Sequence, residues 1–212
     1  MRLLYILILM CGFFAPLQHV RLLSLNLTLF DLLLLLLLFV QMMQGSIRII
    51  ARTSYWVSAF AICVTGAIAT LFSEDSLGSM GQLVQWIFIF FVCIPSLYSA
   101  FLRPSAWLLF SLGVLISGWL LGIHAAFEIV MGKAAYAGGR YVGFMGSPQP
   151  TSFVLSLVYC YAISLAVFLR VNSPFREYLI RTISVGLCML TAVIVLYAAS
   201  RTGILAIFLV SL

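Results

Sequence analysis

Residues 107–130 read WLLFSLGVLISGWLLGIHAAFEIV, an apolar run whose one acidic residue, Glu128, stands near its end. A helix needs around 20 such residues to span a hydrocarbon layer of about 30 Å, so this run is long enough. It is continuous rather than alternating, which argues against a half-exposed strand, and an unclosed sheet in lipid would leave backbone groups unpaired. Similar blocks recur between polar punctuation and predict helices at about 3–17, 25–43, 55–72, 82–101, 151–169 and 182–199, besides 107–130. An eighth starts at Gly203 and has ten residues up to and including Leu212. That is about half of what a crossing takes.

Of 212 residues, 65% are hydrophobic and 8% are charged, whereas soluble domains are about half apolar and about a quarter charged. No soluble core absorbs that much apolar surface. The fold class read from these blocks is all-α, a polytopic transmembrane helical bundle of about eight helices with the last one incomplete. The expectation is a single transmembrane domain over 1–212, the N-terminal part of a longer protein, with an outer loop at 131–150. Arg2 followed by Leu3 to Met10 looks like a secretory signal, but no small-x-small cleavage site follows and Met10 precedes Cys11. The segment reads as an uncleaved first helix.

The net charge of +6 is spread singly between apolar blocks, which argues against a nucleic-acid partner. Cys11, Cys63, Cys93, Cys160 and Cys188 all lie inside apolar stretches without metal-ligand spacing and read as small packing residues. Loop charge sets the orientation. With a cytoplasmic N-terminus, Arg2, Arg48, Arg52, Arg103, Arg170, Arg176 and Arg181 fall inside, and Arg21, Lys133, Arg140 and Arg201 fall outside. Three of the four outer cations belong to two late connections on the same side.

The first of those connections runs from Gly138 to Phe153 and contains Arg140 among glycines and prolines that break a regular helix and let the backbone approach a ligand. Thr151 or Ser152 can cap the next helix, whose amides favour an anion. The second is the tight turn Ser200-Arg201-Thr202-Gly203. A guanidinium's fixed fork of donors suits phosphate oxygens; the alternative is that Arg140 and Arg201 snorkel to lipid headgroups. His124 and Glu128, four apart on one helical face, suit a base and its orienting partner, or are simply solvated near the interface. Ser73-Glu74-Asp75-Ser76-Leu77-Gly78-Ser79 is an acidic turn in which Ser79 and Gln82 fit a capping box. Trp56, Trp86, Trp107 and Trp119 read as interfacial anchors near helix ends.

Three blocks, in order, resemble the O-antigen ligase and polysaccharide polymerase family of bacterial inner-membrane proteins. They are Phe72-Ser73-Glu74-Asp75-Ser76-Leu77; Gly139-Arg140 with Gly143 and Ser147-Pro148-Gln149-Pro150-Thr151; and Ser200-Arg201-Thr202-Gly203. The resemblance covers about thirty residues in motif terms. It implies an inverting glycosyl transfer at the periplasmic face, from an undecaprenyl-diphosphate-linked glycan to an acceptor glycan or lipid, with no cofactor or metal. Arg140 and Arg201 would bind the donor diphosphate, with Lys133, Gln149 and Ser200 as further substrate-binding candidates, and His124 and Glu128 are the candidates for the base. Gln149 departs from the family's more usual asparagine, and the histidine commonly assigned as base in ligases would lie beyond Leu212. The rival readings are a multi-pass transporter or permease fragment and a noncatalytic membrane protein. The transporter predicts polar groups at the bilayer midplane, where this sequence has mostly Leu, Ile, Phe and Val.

Overall fold

The computed structural model describes residues 2–17, 21–22, 27–103, 105–137, 140–145, 148–170, 173–198, 204 and 207–209. Helices dominate: α1 (Arg2–Phe14), α2 (Leu29–Met43), α3 (Thr53–Leu71), α4 (Ser76–Phe88), α5 (Ile94–Phe101), α6 (Ala106–Val130), α7 (Pro148–Phe168) and α8 (Pro174–Ala198). Four two-residue strands, β1 (Arg21–Leu22), β2 (Leu27–Thr28), β3 (Tyr136–Ala137) and β4 (Arg140–Tyr141), are the extended elements among the described residues. Five helical spans are long and apolar enough to cross a membrane: Thr53–Leu71, Ser79–Phe101, Ala106–Val130, Thr151–Phe168 and Pro174–Ala198. The chain is a multi-pass, all-α membrane protein. Helix α1 and helix α2, with 13 and 15 residues, fall short of the roughly 20 that a straight crossing takes.

Several boundaries differ from the hydropathy reading, each for a local reason. Helix α2 starts at Leu29 rather than 25 because Thr28 caps it: the Thr28 hydroxyl accepts from the Asp31 amide, and the Asp31 carboxylate accepts from the Thr28 amide. Helix α4 starts at Ser76, six residues before 82, so Ser79 and Gln82 are not its capping box; Ser79 Oγ instead donates to Ser73 Oγ at 2.7 Å. Helix α8 starts at Pro174 rather than 182, because its charged first turns are helical without being apolar. There Arg181 pairs with Glu177 at 2.8 Å, four residues away, and donates to the Leu169 carbonyl beyond the end of α7. The expected eighth crossing lies mostly outside the described residues; Ile204 and residues 207–209 are helical.

The chain forms two compact units, one comprising 1–11 and 22–110, the other 12–21 and 111–212. In the first, α4 runs through a π-helical turn (Ile89–Cys93) into α5. Pro95 follows one residue later, after Ile94; it lacks an N–H, and its ring crowds the carbonyl a turn back, which the wider turn accommodates. Tyr55 of α3 donates to the Phe90 carbonyl inside that turn at 2.6 Å. Two further connections tie α5 to what precedes it: Gln41 Nε2 donates to the Ser96 carbonyl, and Ser99 Oγ bridges the Arg48 amide and the Ser46 carbonyl.

In the second unit the helices meet through small residues and a buried apolar layer. A methyl group added at Gly118 would stand 2.7 Å from Val158 Cγ1 and 3.0 Å from Leu187 Cδ2, and one at Gly122 2.6 Å from Leu190 Cδ2. These two glycines, spaced four apart, let α6 approach α7 and α8 closely, as small residues do in membranes. The Ser111 and Tyr161 hydroxyls join α6 to α7 at 2.7 Å. Trp119 sits in the middle of α6 rather than at an end, against Gly186, so its role is packing rather than interfacial anchoring.

Candidate functional site

The candidate site is built where α6 ends and α7 begins. Helix α6 closes with a Schellman pattern, in which the Gly132 amide donates to the Ile129 carbonyl and the Lys133 amide to the Glu128 carbonyl. Lys133 is exposed immediately beyond this C-terminus, where a cation complements the helix dipole. The chain then forms a small antiparallel ladder, with Tyr136 opposite Tyr141 and Ala137 opposite Arg140. The Val142 amide donates to the Ala135 carbonyl at 2.9 Å and extends it.

Successive strand residues face opposite ways, and here the alternation decides the function of each side chain. Tyr141 is fully buried and Arg140 is exposed. Tyr141 belongs to an apolar cluster with Ala125, Leu155, Ile194 and Val195. Its hydroxyl donates to Glu128 Oε2 at 2.6 Å, fastening the ladder to the last turns of α6. Burial, then the hydrogen bond to Glu128 and that residue's charge, holds the Tyr141 phenol well above its ordinary range, so it remains a donor.

A second fastening comes from α7. Thr151, also fully buried, donates to the Val142 carbonyl at 2.7 Å. It lies in the first turn of a helix that already begins at Pro148, so it does not cap that helix as the sequence reading expected; proline suits the first position, which needs no amide donor. Ser152 does not cap it either. Its hydroxyl is buried and has no hydrogen-bond partner among the described residues. Gly143 adopts φ +64°, and an added Cβ would be 2.5 Å from Thr151 Cγ2 and 3.0 Å from Tyr141 Cε1. This glycine brings the backbone close to the protein's own side chains.

His124 Nδ1 and Glu128 Oε1 are 4.0 Å apart, with the histidine side chain 60% exposed and the glutamate 30%. This is an ion pair only when the imidazole is protonated, and it is too long for a hydrogen bond. Glu128 is thus shared: one oxygen accepts from Tyr141 and the other faces His124. The structure brings His124, Glu128, Lys133 and Arg140 into one connection and its supporting helix end. Gln149 is the second residue of α7, with its side chain outside the description. Ser200 and Arg201 lie outside the described residues, as do Gly138, Gly139, Gly146 and Ser147.

The residues that sequence reasoning missed are Tyr141 and Thr151 in their clamping roles. A signal was present: Tyr136-Ala137-Gly138-Gly139-Arg140-Tyr141 has the form of a two-residue hairpin flanked by aromatic residues. Comparison with protein-family models, curated proteins and solved structures finds no match.

Proposed function

We propose that the protein is a membrane glycosyltransferase that transfers or polymerises glycan from an undecaprenyl-diphosphate donor at the periplasmic face of a bacterial inner membrane, with its N-terminus cytoplasmic. The observation that carries this reading is Arg140, held outward on a ladder whose opposite face is locked by Tyr141 to Glu128 and by Thr151 to Val142. A guanidinium on a backbone fixed in this way offers its fork of donors to phosphate oxygens from a set position. Lys133 adds a second exposed cation on the same connection, and Ser200-Arg201 is the motif expected to complete the set.

In the reaction, an acceptor hydroxyl attacks the anomeric carbon of the donor, and the diphosphate departs with the electron pair of the broken C–O bond. The arginines stabilise the charge developing on that leaving group. A base takes the hydroxyl proton; His124, the more exposed member of its pair, is the available imidazole, while Glu128 is occupied in holding Tyr141.

The test is made in cells that depend on the protein for surface glycan. Arg140→Ala and Arg201→Ala should each abolish polymerised or ligated glycan on a gel, with insertion and abundance unchanged by immunoblot. Normal glycan in both variants would overturn the proposal. Single cysteines introduced at Ser147 and Ser173 test the orientation: an impermeant reagent should label only the first in intact spheroplasts.

A further inference from the structure

The first unit carries a pocket of its own. Between α3 and α4, at their connection, lies a cavity of about 320 Å³ walled by Gly66, Thr70, Ser73, Ser79, Gln82 and Trp86, which is within the size range of small-molecule sites. Counting back from Phe101, a span of about 30 Å takes about 20 residues and reaches Gln82. The pocket therefore lies at the boundary between hydrocarbon and water, where a headgroup or a sugar linked to a lipid is found.

The hydrogen-bonding state of the walls narrows the ligand. Ser79 Oγ donates to Ser73 Oγ at 2.7 Å, Ser73 Oγ to the Asp75 carbonyl at 3.1 Å, and Thr70 Oγ1 to the Gly66 carbonyl at 2.8 Å. All three hydroxyl protons are committed, which leaves oxygen lone pairs to accept from a ligand. The Gln82 amide has no partner among the described residues and offers both donors and an acceptor. Trp86 is half-exposed, and its ring is steadied by stacking on Phe90 at 5.8 Å and 18°. No Lys or Arg lines the pocket among the described residues, and the exposed Glu74 and Asp75 belong to the adjoining turn.

We infer that this pocket binds a neutral sugar ring, its C–H face against Trp86 and its hydroxyls donating to Thr70, Ser73 and Ser79 while bonding Gln82. A phosphate brings acceptors and negative charge, which neither the lone pairs nor the neighbouring carboxylates favour. A quaternary ammonium brings no donor. The choice of a neutral sugar over an ammonium or another polyol rests on the glycan-transfer reading; the pocket's preference for a donor-rich ligand does not.

The experiment uses the full chain in phosphatidylcholine nanodiscs, free of glycoside detergent, titrated with N-acetyl-D-glucosamine and methyl β-D-galactopyranoside and followed by tryptophan fluorescence and saturation-transfer NMR. At least one sugar should give a saturable response. Trp86→Ala and Gln82→Ala should each weaken it at least tenfold, and Trp86→Phe, which keeps an aromatic platform, should retain part of it. Glu177→Gln should bind sugar as the parent does. An absence of saturable response to either sugar, parental binding in the Trp86→Ala and Gln82→Ala variants, loss of binding in Glu177→Gln, or a response to ethanolamine or glycerol 3-phosphate instead would each overturn the assignment. Normal glycan formation in both Arg140→Ala and Arg201→Ala defeats the transfer reading alone and leaves the pocket standing.

Discussion

Helix α3 and helix α6 are both long apolar spans, yet 6% of α3's most apolar window is buried within the protein against 56% for α6. Val57, Phe60 and Ile68 of α3 are exposed apolar side chains, suited to lipid. In a bilayer, lipid tails are as apolar as leucine, so burial of apolar area alone does not draw helices together. The first unit answers with polar bonds across long sequence separations: Tyr55 to Phe90, Gln41 to Ser96, Ser99 to Ser46. The second answers with close glycine packing and a clamped connection. The lesson is that the same hydropathy conceals two different ways of holding helices.

The largest break in this contrast is expected at Gly143. Gly143→Val imposes an unfavourable backbone conformation and a clash with Thr151, and should cost about 3 kcal/mol or more. Hydrogen exchange should report opening of 136–145 while 53–101 keeps its protection; parental protection throughout would show that the contact is not formed.

Tyr141→Phe removes a bond to a carboxylate and should cost about 1.5–3 kcal/mol, read as a lower midpoint of thermal unfolding in micelles. It also tests a pH dependence. Because the folded phenol titrates above its unfolded value of about 10, the stability it contributes is fully present below about pH 10 and is lost as pH rises towards the folded value. The alkaline loss should be smaller in the Phe variant.

Tyr55→Phe should cost about 1 kcal/mol and loosen α3 from the π-helical turn; unchanged exchange at 89–93 would remove the polar bond from the account of the first unit. Least costly is Glu177→Gln, where a partly exposed pair four residues apart contributes at most about 0.5 kcal/mol. A larger loss would mean that the hold of Arg181 on Leu169 depends on that pairing.

The spans were legible because continuous apolarity is a property of each segment by itself. Their ends were not: Thr28 and Asp31 set one through reciprocal bonds, and Arg176, Glu177 and Arg181 kept the start of α8 below any apolar threshold although it is helical. At the candidate site, Arg140 was visible as a cation among glycines. Its support was not, since that depends on Tyr141 meeting Glu128 thirteen residues away and on Thr151 turning back to Val142 rather than capping its own helix. The hydroxyl chain at Ser73 and Ser79 was hidden by a capping pattern that fits the sequence equally well.

The π-helical turn at Ile89–Cys93 acts as a phase shifter. One residue more than an α-turn contains rotates everything after it by about 100°, so α4 and α5 obey two helical wheels offset from one another. That offset aims Ser96 and Ser99 at Gln41, Ser46 and Arg48. Deleting a single residue within the turn would leave composition and hydropathy almost untouched, yet it would swing both serines off their partners. In this helix, information is carried by the count of residues as much as by their kind.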